Sequence, residues 1–145
     1  MDNRTLLYLT ILVLVCMGII IALNITTLLN PSPVEKYISF NDVNGIEVVH
    51  NKIPYTLNFE QQNKLLEYLN VSLPIGKEKF PSNKESLDFD KIVIYRFGAP
   101  EITLIPLAYY QQNLIYEAPG WNPKGYMQDI SEGQLRTLIS QTYDP

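Results

Sequence analysis

KIVIYRFGAPEITLIPLAYYQQNLIYEA, residues 91–118, holds three apolar runs separated by short polar or Gly/Pro breaks. Lys91 to Phe97 is dense in β-branched and aromatic side chains, the composition of a strand. Gly98-Ala99-Pro100 interrupts it. Glu101 to Tyr110 gives a second strand and Asn113 to Ala118 a third, with Gln111-Gln112-Asn113 as the hairpin turn. Pro106 has no N–H to give a ladder, so it marks a bulge or an edge. Three strands joined by short turns predict an antiparallel meander.

Upstream, Ile46 to Leu57 (IEVVHNKIPYTL) reads as two short strands around Asn51-Lys52, with Val43-Asn44-Gly45 as a turn before them. Pro54 marks the second of these as an edge strand or an irregular one. Asn58 with Gln61 three residues on makes a capping box. Behind it, Phe59, Gln62, Leu65, Leu66 and Leu69 fall on one helical face. Residues 74–90 are polar and turn-rich, with Lys77, Lys79 and Lys84 offset by Glu78 and Glu85, and read as a loop. Pro119 to Gly125 reads as an irregular loop. Ser131 with Gln134 forms a second capping box, Ile130 and Leu135 a hydrophobic staple, and Leu135, Leu138 and Ile139 a core face that Tyr143 extends. The order β-β-α-β-β-β-α predicts an α+β domain: an antiparallel sheet with two helices packed on one face. Its expected core is Phe59, Leu65, Leu66, Leu69, Ile92, Ile94, Leu104, Leu135, Leu138 and Ile139.

The amino-terminal segment is of another kind. Leu6 to Leu29 carries no charged residue, and Leu6 to Leu23 is its most apolar part. A helix of about 18 residues covers roughly 27 Å, close to a hydrocarbon core of about 30 Å. The run is longer than the apolar part of a cleaved signal peptide, and no small-residue triplet follows Leu23. Cys16 lies within the run, where a lipid-modified cysteine would end it. No polar face marks a soluble buried helix. The expected organisation is therefore a short tail at 1–5, one transmembrane helix at 6–29 acting as a signal anchor, a Pro-rich linker at 30–36 and an extracytoplasmic domain at 37–145. Arg4 on one side and Lys36 on the other give almost no charge bias. The amino terminus is placed in the cytoplasm because a first apolar segment this near the start acts as an uncleaved anchor.

Composition narrows the function. The formal charge is −4 and the pI about 4.9, without a basic stripe to meet phosphates or anionic lipid, so nucleic acid is not an expected partner. Membrane lipid is expected to meet Leu6 to Leu29. Cys16 is the single cysteine, so the domain has no disulfide. No P-loop, dinucleotide fingerprint or nucleophile motif occurs, and no cofactor or metal is expected. His50, the single histidine, lacks soft neighbours for zinc; it could serve a hydrolase only as a base beside a carboxylate. Asp88 and Asp90 alternate as on a strand start. Asn70-Val71-Ser72 is a formal glycosylation sequon.

The aromatic side chains Tyr109, Tyr110, Tyr116, Trp121 and Tyr126 are the candidate binding residues, because Tyr and Trp anchor protein interfaces. Strands also favour tyrosine for packing, and neighbours such as Tyr109 and Tyr110 must face opposite sides. Trp121, in its Gly/Pro loop, is expected at the rim of the core, still within reach of a partner. The expected function is a membrane-anchored domain that binds another protein, as an envelope-complex subunit or an inhibitor or immunity-type factor, and not an enzyme. A small-ligand sensor with a pocket near Trp121 and a hydrolase using His50 are the rivals.

Overall fold

The computed structural model describes residues 2–29, 37–83 and 85–144, apart from the side chains at 3, 4, 6, 7, 22–29, 123 and 124. The chain divides into two units, Met1–Val34 and Glu35–Pro145.

The first unit is a helix, α1 (Asn3–Leu29). Its described side chains from Tyr8 to Ile21 are uncharged and exposed on every side. Among the described residues, no helix is long and apolar enough to cross a membrane. The stretch from Tyr8 to Ile21 is shorter than the about 20 residues a span needs, and the remainder of the expected run lies outside the described side chains. The structure gives the helix expected there and does not support the span. The expected linker at 30–36 lies outside the described residues.

The second unit is α+β, with a seven-stranded, fully antiparallel sheet. The strands are β1 (Val43–His50), β2 (Ile53–Thr56), β3 (Leu73–Ile75), β4 (Lys91–Arg96), β5 (Ala99–Tyr110), β6 (Asn113–Ala118) and β7 (Asn122–Gln128), and the helices are α2 (Phe59–Asn70) and α3 (Gln134–Tyr143). The strand order is β2-β1-β4-β5-β6-β7-β3. The hairpin β1–β2 begins at one edge. The chain then passes through α2 to the other edge, returns to the centre, and closes the gap with the meander β4–β7.

Turns fix the register. Asn51 and Lys52 (φ 52° and 66°) join β1 to β2, and Gln111 and Gln112 (φ 49° and 67°) join β5 to β6. Two successive left-handed residues match the twist of a tight hairpin. The resulting pairs set Ile46 beside Ile94 and Ile94 beside Ile102, then Val48 beside Ile92 and Ile92 beside Leu104. All six side chains are buried on one face. Pro106 stands at a register shift in the β5–β6 ladder, the bulge its missing N–H implied. Pro54 and Pro74 lie in the two edge strands.

α3 covers this face: Tyr143 stacks on His50 and Arg136 lies over the Tyr109 ring. α2 packs beside it, and the Tyr68 hydroxyl donates to Gln134 Oε1 at 2.8 Å. The expected capping box of α2 is present in both directions, Asn58 with Gln61. Of the expected core, Leu65, Leu66, Leu69, Ile92, Ile94, Leu104, Leu135, Leu138 and Ile139 are buried.

Several expectations are corrected. Two strands were missed, so the order β-β-α-β-β-β-α becomes β-β-α-β-β-β-β-β-α. β3 overlaps the start of the expected loop, and β7 begins where an irregular loop was expected; Pro123 and Gly125 are tolerated because the ladder shifts there, between the pairs Ala118–Asn122 and Tyr116–Met127. Val43-Asn44-Gly45 is not a turn before β1 but its first residues, bulged against β4. Phe59 is exposed, meeting the Phe40 ring edge-on. The second capping box does not form: Gly133, at φ 88°, is the N-cap of α3, and the Gln134 side chain is engaged by Tyr68. Ser131 Oγ instead accepts from Leu135 N–H, and Ile130 is exposed, so there is no staple.

These burials separate two substitutions. Leu135→Ala should lower unfolding stability by about 2–5 kcal/mol, the cost of emptying a filled core site. Phe59→Ala should lower it by about 1 kcal/mol or less, the worth of one exposed ring pair. Denaturant titration of the full chain, followed by fluorescence of Trp121, the single tryptophan, checks both. Equal losses would contradict the packing.

Candidate functional site

The five aromatic candidates divide between the faces of the sheet. Tyr109 pairs with Leu114, and Pro106 pairs with Tyr116; both tyrosines lie on the helix-covered face and are fully buried. Tyr110 pairs with Asn113, on the other face, and is half-buried. Tyr126 shares that face, half-buried against Phe80 and beneath Lys77 Nζ. Trp121 is buried rather than reachable at a rim: its N–H donates to the Ala118 carbonyl at 2.8 Å, and the tight turn folds the ring inward. Tyr109, Tyr116 and Trp121 therefore cannot join Tyr110 and Tyr126 in one exposed platform.

His50 is engaged on both nitrogens. Nδ1 lies 2.6 Å from the Asp88 main-chain carbonyl and Nε2 2.8 Å from Asn51 Nδ2. With Nδ1–H donating to the carbonyl, Nε2 accepts the Asn51 amide. The ring stacks flat on Tyr143 at 4.1 Å. The Asp88 carboxylate does not orient His50 as a catalytic partner would; it accepts from the Tyr109 hydroxyl at 2.9 Å. Arg136 lies 4.2 Å from the centre of that tyrosine ring and pairs with Glu85 at 2.6 Å. The cluster ties α3 to the β1–β2 hairpin and to the segment before β4. Sequence reasoning missed Arg136 in it and gave Tyr143 only as an extension of the core face, since only tertiary packing brings residues 50, 88, 109 and 136–143 together.

Asp88 and Asp90 do not share a face, because β4 starts only at Lys91. Asp90 is exposed and accepts from Lys52 N–H at 2.7 Å, capping the hairpin turn. Among the described residues, no group of three His, Cys, Asp or Glu side chains is placed to hold a metal. Depressions of about 650 and 470 Å³ flank this turn, lined by Lys52, Asp90 and Lys91 and by His50, Asp88 and Phe89 respectively, with Asn51 in both. The sequon is locked: the Asn70 side chain holds Ile38 at both its N–H and its carbonyl, and Ser72 is buried.

The helix-free face shows what the sequence did not. The Lys77–Phe80 segment reaches its β6–β7 end, where Lys77 pairs with Glu117. Toward β1, β4 and β5 the face carries Glu47, Val93 and Thr103 in one cross-strand row, with Val49, Tyr95 and Ile105 around it. Ile105 is 42% exposed and Tyr95 36%, its hydroxyl donating to Glu47 at 2.9 Å. Their signal lay in the alternation of β5, where Ile105 stands opposite in phase to Leu104.

Comparison with known proteins gives no matching family model, no matching curated protein and no matching solved structure.

The buried phenols imply an alkaline limit. Burial, then the charge and hydrogen-bonding demand of the nearby Asp88 carboxylate, push the Tyr143 pKa up to about 12, with Arg136 opposing. Burial and then Asp88 raise Tyr109, with Arg136 opposing; burial raises Tyr116. A phenol raised from an unfolded value of about 10 contributes stability fully present below pH 10 and lost as pH climbs through the folded value. Unfolding stability should therefore fall between about pH 10 and 12, and fall less steeply in Tyr143→Phe. A flat profile, or one unchanged by Tyr143→Phe, would contradict this environment.

Proposed function

We propose that this chain is a single-pass membrane-anchored protein whose extracytoplasmic domain binds a protein partner through the helix-free face of its sheet. Such a domain fits an envelope-complex subunit or an inhibitor or immunity-type factor. The observation that carries the reading is that face: Ile105 and Tyr95 are exposed on paired strands, beside half-buried Val49 and Thr103, while α2 and α3 occupy the other side. A surface with an aromatic and aliphatic patch, Glu47 tied to Tyr95 within it and the exposed Lys91 beyond Val49, has the anatomy of an interface.

The anchor is read from the sequence, and α1 supplies the helix it requires. The uncharged run from Leu6 to Leu29 is helical throughout, and its described apolar side chains face every direction. A helix apolar all round needs either a protein core or lipid. The amino terminus then lies in the cytoplasm and the domain outside it.

Three measurements test the proposal. Alkaline carbonate should leave the full chain in the membrane pellet; release would sink the anchor. A photo-crosslinking amino acid at Ile105 should yield a discrete adduct in native membranes, and one at Gln141, exposed on α3, should not. Tyr95→Ala with Ile105→Ala should weaken capture of the identified partner by about 2 kcal/mol, roughly 30-fold, the size of a hot spot. Adducts from Gln141 but not Ile105 would place the interface elsewhere.

A further inference from the structure

We infer that the entry end of the domain rests on the bilayer surface through an aromatic rim formed by Tyr37, Phe40, Phe59 and Phe97; this inference rests on the proposed anchor. Among the described large apolar side chains of the domain, those exposed beyond three-fifths are all aromatic: Phe59 at 72%, Tyr37 at 70% and Phe97 at 62%. All three border one short 3₁₀ turn, Phe40–Asp42. The Phe40 and Phe59 rings meet edge to face with centroids 4.6 Å apart. Phe97 N–H donates to the Asp42 carbonyl at 2.8 Å. Tyr37 and Phe40 line a shared depression of about 240 Å³ with Leu66 and Val71. The turn is held rigidly, since Asn70 bonds both main-chain groups of the buried Ile38.

The occupant follows from chain length and chemistry. Residues 30–36 alone join α1 to Tyr37, and a fully extended chain of that length reaches at most roughly 25 Å. An anchoring helix therefore limits how far the rim can stand from the bilayer. Aromatic rings with one apolar face are the side chains that settle at the boundary between headgroups and acyl chains. Around the rim, Asp42, Glu60 and Glu67 outnumber Lys64 and Arg96, so the fit is to a zwitterionic lipid interface and not to anionic headgroups. The far end of β1, at the Asn51-Lys52 turn, then points away from the membrane, with Ile53 exposed there.

The test uses the full chain in phosphatidylcholine vesicles, with Cys16→Ser removing the native thiol. Nitroxide labels at Leu14→Cys, Phe59→Cys, Phe97→Cys and Ile53→Cys are compared for collision with oxygen, which partitions into lipid, and with a water-soluble nickel chelate. The expected result is an oxygen-to-nickel ratio highest at 14, intermediate at 59 and 97, and several-fold lower at 53. A lipid-embedded label at 14 beside labels at 59 and 97 that match 53 would overturn the docking and leave the anchor standing. A nickel-accessible label at 14 would overturn the anchor and the docking with it. Shielding of 59 and 97 from both reagents would identify a protein against the rim, such as a second copy, and would also overturn the inference.

Discussion

Six aliphatic side chains at the centre of the sheet, Ile46, Ile94 and Ile102 with Val48, Ile92 and Leu104, must be kept from water on one side, and the rest of the domain is arranged around that need. Each such side chain, fully buried, is worth about 1.5–3 kcal/mol. They come from β1, β4 and β5, adjacent in space but separated in sequence by α2 and β3. The cover is supplied by the connection itself. β2 ends at one edge of the sheet and β3 begins at the other, so the intervening chain must traverse the sheet, and α2 does so with Leu65, Leu66 and Leu69 buried. α3 completes the layer with Leu135, Leu138 and Ile139.

Covering one face with two helices brings polar groups under partial burial, and the structure answers for most of them. Asp129, buried before α3, accepts from both the backbone and the hydroxyl of Ser131; burial raises its pKa and those bonds oppose the rise. Asp88 takes the Tyr109 hydroxyl. His50 is spent on a main-chain carbonyl, an asparagine amide and a stacked tyrosine. Side chains so engaged serve the joint between α3 and the sheet, which is why the recognition reading rests on the uncovered face and not on the histidine.

Most of the central architecture was legible in the chain. The β-branched and aromatic runs from Lys91 to Ala118 with their turn breaks, the Asn58–Gln61 box and the periodic leucines of both helices are local signals, and local signals survive folding. The two added strands were hidden for physical reasons. β3 is three residues long and contains Pro74; β7 contains Pro123 and Gly125, residues that ordinarily end strands and are accommodated here by an irregular ladder. Phe59 misled because it shares the phase of Leu66 but sits at the first turn, beyond the edge of the core. Trp121 misled in the opposite sense: a Gly/Pro loop suggests exposure, whereas a tight turn aimed the ring inward. Of the aromatic candidates, the alternation of faces was legible from the strand period, while the exposed pair Tyr95 and Ile105 could be told from ordinary strand residues only once the helices were known to lie on the other side.

Native-state hydrogen exchange of the full chain tests the arrangement most directly. The order β2-β1-β4-β5-β6-β7-β3 predicts that amides of Ile92, Ile94, Ile102, Leu104 and Leu114 exchange only through global unfolding, in one narrow band, while those of the edge strands β2 and β3 exchange much sooner. Edge amides as slow as the central ones, or central amides exchanging at edge rates, would contradict a single sheet built around those six side chains.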